Sequence, residues 1–351
     1  MAGHRLTLEQ MQETLDAVKA NGSISQAARM LGIPEGTLKS RYRAALAATS
    51  EGRLYSDSKE PQVPDLPADD LPVEELIALQ IKRFEKRSAR AEAKRWIEIG
   101  MPDDRPFGLL WFGDPHVDDN GCNWSLLRAH CAAAANAESV YGCSVGDITN
   151  NWVGRLTRLW ADQDTSRATA QKFAKWLLLE SGVRWLVWTL GNHDLWYGAE
   201  LLKEYAAQAP QRLLMEDWGC QFQLRCPGGQ AYRVWQSHNF PGNSMWNTLH
   251  GPQRAAHTKD WSHMYVCGDT HNWALHQEES ASRQFTYWLI RTRGYKYLDS
   301  YGERLGHQSQ REGASILTVV NPQAESLAAQ LQCFADVETG LEYLAWLRKC
   351  V

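Results

Sequence analysis

At 351 residues the chain is long enough for one large domain plus an accessory module, and too long for a single small domain. Lys and Arg number 37 against 41 Asp and Glu, a net charge of −4, so contact with nucleic acid would have to come from local basic patches rather than a global field. No apolar run approaches the roughly 20 residues of a membrane span, and the opening MAGHRLTLEQ has no signal-peptide core, which sets the expectation of a cytoplasmic protein without a membrane partner.

Residues 8–20 place Leu8, Met11, Leu15 and Val18 at helical spacing, and Asn21-Gly22 stops the pattern. A second helix is expected at 26–31 with Ser25 as its cap, a turn at Gly32, and a third at 35–48 begun by Pro34. Two short helices joined by a glycine-containing turn suggest a helix-turn-helix, and SISQAARMLGIPEGTLKSRYRAAL resembles that family closely. The resemblance implies a third helix that enters the DNA major groove, with Thr37, Lys39, Ser40, Arg41 and Arg43 as its contacts. Residues 1–50 carry six Lys/Arg against four Asp/Glu, a weak footprint that leaves protein docking open as an alternative.

Residues 51–75 hold Pro61, Pro64, Pro67 and Pro72 and eight acidic against two basic residues, the composition of a semi-extended linker. Residues 73–99 then read as one long helix, with seven Lys/Arg against two Glu between 82 and 96. Its simpler role is a solvated face with Leu76, Leu79, Phe84 and Trp96 packed on the following domain; the alternative is contact with a phosphate backbone. The organisation expected is therefore a helix-turn-helix module at 1–50, an acidic linker at 51–75, a basic connecting helix at 76–100 and a large domain at 106–351.

In that last region FGLLWFGDPHVD runs six apolar or small residues, Phe107 to Phe112, as a strand buried on both faces, then delivers Asp114 and His116 beyond Gly113. Four further stretches repeat the device. A strand at 139–145 ends in Gly146-Asp147, one at 183–190 in Gly191-Asn192-His193-Asp194, one at 231–236 in Ser237-His238-Asn239, and one at 264–267 in Gly268-Asp269-Thr270-His271. Carboxylates and imidazoles at the carboxyl ends of strands are metal-ligand types where open α/β sheets place their ligands. Helices at 124–138 and 166–181 give a βα alternation; a late strand at 315–320 and a helix at 336–349 close the chain.

This order resembles the calcineurin-like metallophosphoesterases over roughly residues 106–275, the pattern being D-x-H, G-D, G-N-H-[DE], a lone H and G-H-x-H, with GNHD its most specific part. The resemblance implies an α/β (α+β) domain of two packed mixed sheets with helices outside. It also implies two divalent metals about 3.5–4 Å apart that activate a water and stabilise phosphoryl charge. Asp114, His116, Asp147 and His271 would hold the first, while Asp147, Asn192, His238 and residue 269 hold the second. His193 would protonate the leaving oxygen, with Asp194 orienting it from behind. The departure from the pattern is Asp269 where the family has His, so that three aspartates face two divalent ions. Such a site favours Mn²⁺, with Mg²⁺, Zn²⁺ or Fe²⁺ as alternatives; the other option is that Asp269 points away. His250 competes with His238 for the fourth motif, and His257 and His263 are expected at the surface.

Eight cysteines form no CxxC pair and are expected reduced, Cys143 and Cys267 within core strands. Sixteen tryptophans are foremost core filling, although Trp152, Trp196, Trp246 and Trp273 follow site motifs and could line a cleft that stacks bases. The leading expectation is a phosphodiesterase or nuclease acting on DNA, similar to phage-encoded metallophosphoesterases, which would place it in the host cytoplasm. The alternatives are a phosphatase of nucleotides or phosphoproteins that docks through its N-terminal module, and a non-catalytic DNA-binding protein. Self-association is left open.

Overall fold

The computed structural model describes residues 6–50, 70–281, 284–298 and 313–350. The chain divides into two units, Met1–Ile77 and Ala78–Val351. Most of the expected linker at 51–75 lies outside the described residues.

The first unit holds three helices, α1 (Leu8–Asn21), α2 (Ile24–Leu31) and α3 (Glu35–Ser50). Thr7 and Gln10 form a capping box at the start of α1, and Gly22 and Gly32 stop α1 and α2 at φ 67° and 66°. Ser23, rather than Ser25, caps α2: its Oγ accepts the Gln26 N–H at 3.3 Å, so the helix starts two residues earlier than expected. Ala17, Ala27, Ala28 and Leu38 make the small core, where three alanines let the helices approach closely.

Helix α4 (Val73–Ala93) ends well before residue 99 and buries no side chain. Leu79 and Phe84 are 39% and 72% exposed, against the expectation that they pack. After α4, Ile97–Gly100 is a strand, β1, with its two isoleucines turned inward and Glu98 outward. That two-residue alternation belongs to a sheet edge, and β1 pairs in parallel with residues 222–225.

The second unit packs two six-stranded mixed sheets. One runs β12-β11-β2-β3-β4-β5, built from β2 (Phe107–Phe112), β3 (Val140–Ser144), β4 (Trp185–Leu190), β5 (Leu214–Asp217), β11 (Ser315–Val320) and β12 (Leu331–Phe334). The other runs β1-β6-β7-β8-β10-β9, from β6 (Gly219–Arg225), β7 (Ala231–Ser237), β8 (Met264–Cys267), β9 (Ala274–Ser280) and β10 (Phe285–Arg291). Between them lies one apolar layer in which Leu109, Trp111, Val187 and Ile316 meet Phe222, Val234, Val266 and Ile290. Helices α5 (Trp124–Asn136), α6 (Arg167–Lys175) and the C-terminal Val337–Lys349 cover the outer face of the first sheet. Helix α9 (His250–Thr258) covers that of the second through Ala255 and Ala256, while α7 (Asn192–Trp196) and α8 (Ala199–Gln208) follow β4.

The topology fixes where the motifs fall. β2, β3 and β4 are parallel neighbours, with Phe112 opposite Ser144 and Ser144 opposite Trp188, so their carboxyl ends share one edge. β7 and β8 are likewise parallel, with Gln236 opposite Val266. Gln236 ties the two edges together, because its Nε2 donates across the layer to the Ser144 carbonyl at 2.5 Å and to Thr189 Oγ1 at 3.0 Å.

Candidate metal centre

Each of the five strand ends delivers polar side chains into one buried cluster. Asp114, His116, Asp147 and His238 are at most 2% exposed. Asp114, Asp147 and His238 each offer a ligand atom within 4.8 Å of one another. His238 Nδ1 lies 2.8 Å from the Val145 carbonyl, so it carries the proton and leaves Nε2 facing the cluster. That nitrogen is 3.2 Å from Asp147 Oδ2, 3.0 Å from Asn192 Oδ1 and 3.5 Å from Asp269 Oδ1. His116 Nε2 lies 4.0 Å from Asp147 Oδ2, and the His116 ring is 5.1 Å from that of His271, centroid to centroid. His238, not His250, thus joins the carboxylates; His250 opens α9.

Asp269 turns into the cluster rather than away from it. Its backbone N–H donates to Asp114 Oδ2 at 2.7 Å and its Oδ2 accepts from Asn239 Nδ2 at 2.5 Å, which leaves Oδ1 toward His238. Arg291 braces this loop by donating to the Gly268 carbonyl at 2.9 Å and Thr270 Oγ1 at 2.7 Å.

The backbone is strained where the ligand types sit. His116, Asp147, Asp269 and His271 have φ of 39°, 52°, 69° and 53°, a left-handed conformation that costs a non-glycine residue on the order of 1–3 kcal/mol. Glycines beside them allow the close approach. A Cβ on Gly191 would lie 2.1 Å from Asp147 Oδ1, and one on Gly268 would lie 2.8 Å from Asp114 Oδ2.

The donor set fits a divalent cation. Asp114 Oδ1 and both ring nitrogens of His116 are buried with no hydrogen-bond partner among the described residues, an expensive arrangement unless an ion satisfies them. Carboxylate and amide oxygens crowd the Nε2 of His238, and they repel its lone pair unless a proton or a cation lies between. The titration behaviour reflects the same crowding. Burial, together with the charges of Asp147 and Asp269, holds Asp114 well above the usual carboxylate range. Burial and neighbouring His193 and His271 push His116 well down. Burial would lower His238, but Asp147 carries it well above an ordinary imidazole, and the same pairing keeps Asp147 low despite its burial.

His193 is held from outside the cluster. Its Nδ1 bonds the Asn150 carbonyl, its backbone N–H donates to Asp147 Oδ1 at 3.0 Å, and its Nε2 stands 3.9 Å from Asp147 Oδ2. Asp194, expected to orient His193, does something else. It accepts the backbone N–H groups of Asp147 at 2.8 Å, Ile148 at 2.9 Å and Gly191 at 3.0 Å, clamping the loop that carries Asp147. Burial first, and then the charge of Asp147, push its carboxyl up to about 7.

Several contributors had no visible motif. Asn150 is fixed by Asp118 Oδ1, which accepts its N–H at 2.8 Å, and by Asp119 and Gln163, which accept from its amide. The run Thr149-Asn150-Asn151 directly after Gly146-Asp147 was the available signal, but the group that matters on Asn150 is a main-chain carbonyl. Of the tryptophans named for a cleft, Trp152 is buried at 6% exposure, Trp273 is half-buried, and Trp196 and Trp246 are open at 38% and 93%. His257 is exposed as expected; His263 is not, being buried with its Nδ1 accepting the Arg233 N–H at 2.8 Å. The eight cysteines are free, and Cys143 and Cys267 are buried in β3 and β8.

On α3, Thr37, Lys39, Ser40 and Arg43 are exposed and Arg41 is half-buried. The helix-turn-helix family described as the Psq domain matches residues 7–49, and that segment is a helix-turn-helix module. None of the curated proteins compared with the chain matches it. Among the described residues no helix is long and apolar enough to cross a membrane.

Proposed function

We propose that the second unit is a metal-dependent phosphoester hydrolase, a phosphodiesterase or nuclease acting on DNA that the helix-turn-helix module engages. The observation that carries this reading is the convergence of Asp114, His116, Asp147, Asn192, His238 and Asp269 on one cluster, with Asp114 Oδ1 and the His116 ring unsatisfied among the described residues. Asp114, His116, Asp147 and His271 would hold one divalent ion, and Asp147, Asn192, His238 and Asp269 a second. Bound there, such ions supply an activated water and neutralise charge on the phosphoryl oxygens. With three carboxylates among the ligands the site suits Mn²⁺ or Mg²⁺ before Zn²⁺.

The chain's own groups perform the remaining tasks. The Asn150 carbonyl accepts the Nδ1–H of His193 whether the ring is neutral or charged, so the proton that comes and goes is the one on Nε2. That proton is held beside Asp147, where a leaving oxygen can take it. Asp194 keeps the Asp147 loop in place and touches no reacting atom. Binding of duplex DNA by α3 would raise the local concentration of phosphodiester at the second unit.

The test is hydrolysis by the full chain with Mn²⁺, on labelled single- and double-stranded DNA and on bis(p-nitrophenyl) phosphate, beside p-nitrophenyl phosphate as a monoester. Turnover of the diesters that chelator abolishes and Mn²⁺ restores is the expected result. Turnover of the monoester alone would support a phosphatase instead, and no turnover of either would overturn the reading.

A further inference from the structure

Next to His193 the surface carries aromatic rings interleaved with arginines. Trp196 and Tyr197 follow the GNHD turn and are 38% and 50% exposed. The Trp196 ring lies against that of His193, with centroids 4.3 Å apart. The guanidinium of Arg167 sits between two rings, its Cζ 5.1 Å from the Trp160 centroid and 5.0 Å from that of Tyr197. Among the described residues no carboxylate comes within 4.0 Å of that guanidinium, so its charge is oriented by the aromatic faces and left without a counter-charge among them. Asn151 pins the strip to the centre by donating to the carbonyls of His193 at 3.1 Å and Tyr197 at 2.8 Å. Arg155 and Arg158 are exposed on Gly154–Asp162, the 3-10 turn that also carries Trp160.

Scattered exposed rings need no explanation, but rings fixed beside a candidate reaction centre and alternating with arginines suit one ligand chemistry. Unpaired bases offer flat faces to stack on indole and phenol, and their phosphates offer oxygens to a guanidinium. A duplex has already stacked its bases on each other and presents no such face. A phosphopeptide would use the arginines and leave the rings idle.

We propose that Trp196, Tyr197 and Arg167 form a subsite for single-stranded nucleic acid, with a base stacked on Trp196 and the adjoining phosphate on Arg167. This names the substrate class for the hydrolase reading and rests on that reading only for the cleavage step, not for binding. The module at 7–49 and the subsite then take different forms of nucleic acid, duplex and unpaired strand.

The experiment is fluorescence anisotropy of the full chain with labelled oligothymidylate, in chelator so that nothing turns over, with excess unlabelled duplex to occupy the helix-turn-helix. Trp196→Ala and Arg167→Ala should each weaken binding about tenfold, within the range of single stacking contacts, and Trp196→Phe should recover most of the loss. Arg167→Ala should also flatten the slope of log affinity against log salt by about 0.7, the change expected when one fewer phosphate of a single strand is neutralised, while Trp196→Ala leaves the slope unchanged. An abasic strand of equal length should bind the wild type at least as weakly as the normal strand binds Trp196→Ala. Equal affinity of the wild type for abasic and normal strands would overturn the subsite, as would a phosphopeptide that competes as well as the oligonucleotide. Because no turnover is involved, an inactive protein that shows the expected pattern would keep the subsite and sink the hydrolase reading.

Discussion

Gly191→Ala is the smallest change that should disable the proposed metal centre without removing any of its candidate ligands. The added methyl would lie 2.1 Å from Asp147 Oδ1 and 2.6 Å from His238 Cε1. Ordinary contact requires about 3.5 Å, so the carboxylate or the β4 to α7 turn must retreat by roughly 1.4 Å. Gly191 has φ −85° and ψ −176°, which alanine adopts freely, so the effect is steric and not backbone strain. Overpacking of this kind costs about 1–3 kcal/mol, a loss that an ordinary domain survives. Metal sites, by contrast, tolerate only about 0.2 Å in ligand position. A reacting geometry misplaced by about 1 Å loses on the order of a hundredfold in rate. Metal content by inductively coupled plasma mass spectrometry and hydrolysis of bis(p-nitrophenyl) phosphate, beside a circular-dichroism melt, should show a folded protein depleted of metal and at least about a hundredfold slower. A variant with full metal and full turnover would show that Asp147 does not ligate from the position it occupies beside Gly191.

Removing residues 1–72 should leave the rate on a small diester unchanged while weakening duplex binding and flattening its salt dependence; undiminished duplex affinity would move that function to α4 or the second unit. Asp269→Asn tolerates the left-handed backbone at 269 but removes a charge from the proposed second metal position, so it should shift the metal preference in titrations from Mn²⁺ toward Zn²⁺. An unaltered preference would mean that Asp269 does not ligate. His263 is held at about 4 by burial and, secondarily, by Arg233, against an ordinary 6.5. Because the unfolded chain takes up this proton first, the contribution is fully present above about pH 6.5 and is lost as pH falls toward 4, on the order of 3 kcal/mol in all. Urea unfolding at pH 7 and pH 4.5 should show that loss in the wild type and a smaller one in His263→Gln, and equal losses would remove His263 from the account.

The parts of the fold that are legible in the sequence are those in which a residue pattern has one structural outcome. Phe107 to Phe112, a short apolar run broken at Gly113, reads as a doubly buried strand, and it is fully buried at the centre of its sheet. β1 escapes a sequence reading because Ile97–Gly100 follows a basic helical run without a glycine or proline, and four residues are too few for alternation to outweigh it. β6 alternates in GCQFQLR, but its role depends on pairing with β1 and β7, which no local pattern carries. Within the centre, the side chains at strand ends are readable and the main chain is not. The Asn150 carbonyl that holds His193, and the three N–H groups that engage Asp194, belong to atoms every residue has. His263 reads as a surface residue because it precedes a strand in a polar run, yet Tyr232 and Trp261 close over it.

The central claim is that metal binding and proton donation are separate tasks of Asp147 and His193. The most direct measurement is metal stoichiometry and diester turnover on the wild type, Asp147→Asn and His193→Ala, side by side under Mn²⁺. Asp147→Asn should lose metal and activity together, whereas His193→Ala should keep the wild-type metal content and lose turnover by about a hundredfold or more, in line with general acid catalysis. Loss of metal from His193→Ala as complete as from Asp147→Asn, or undiminished turnover in either variant, would contradict it.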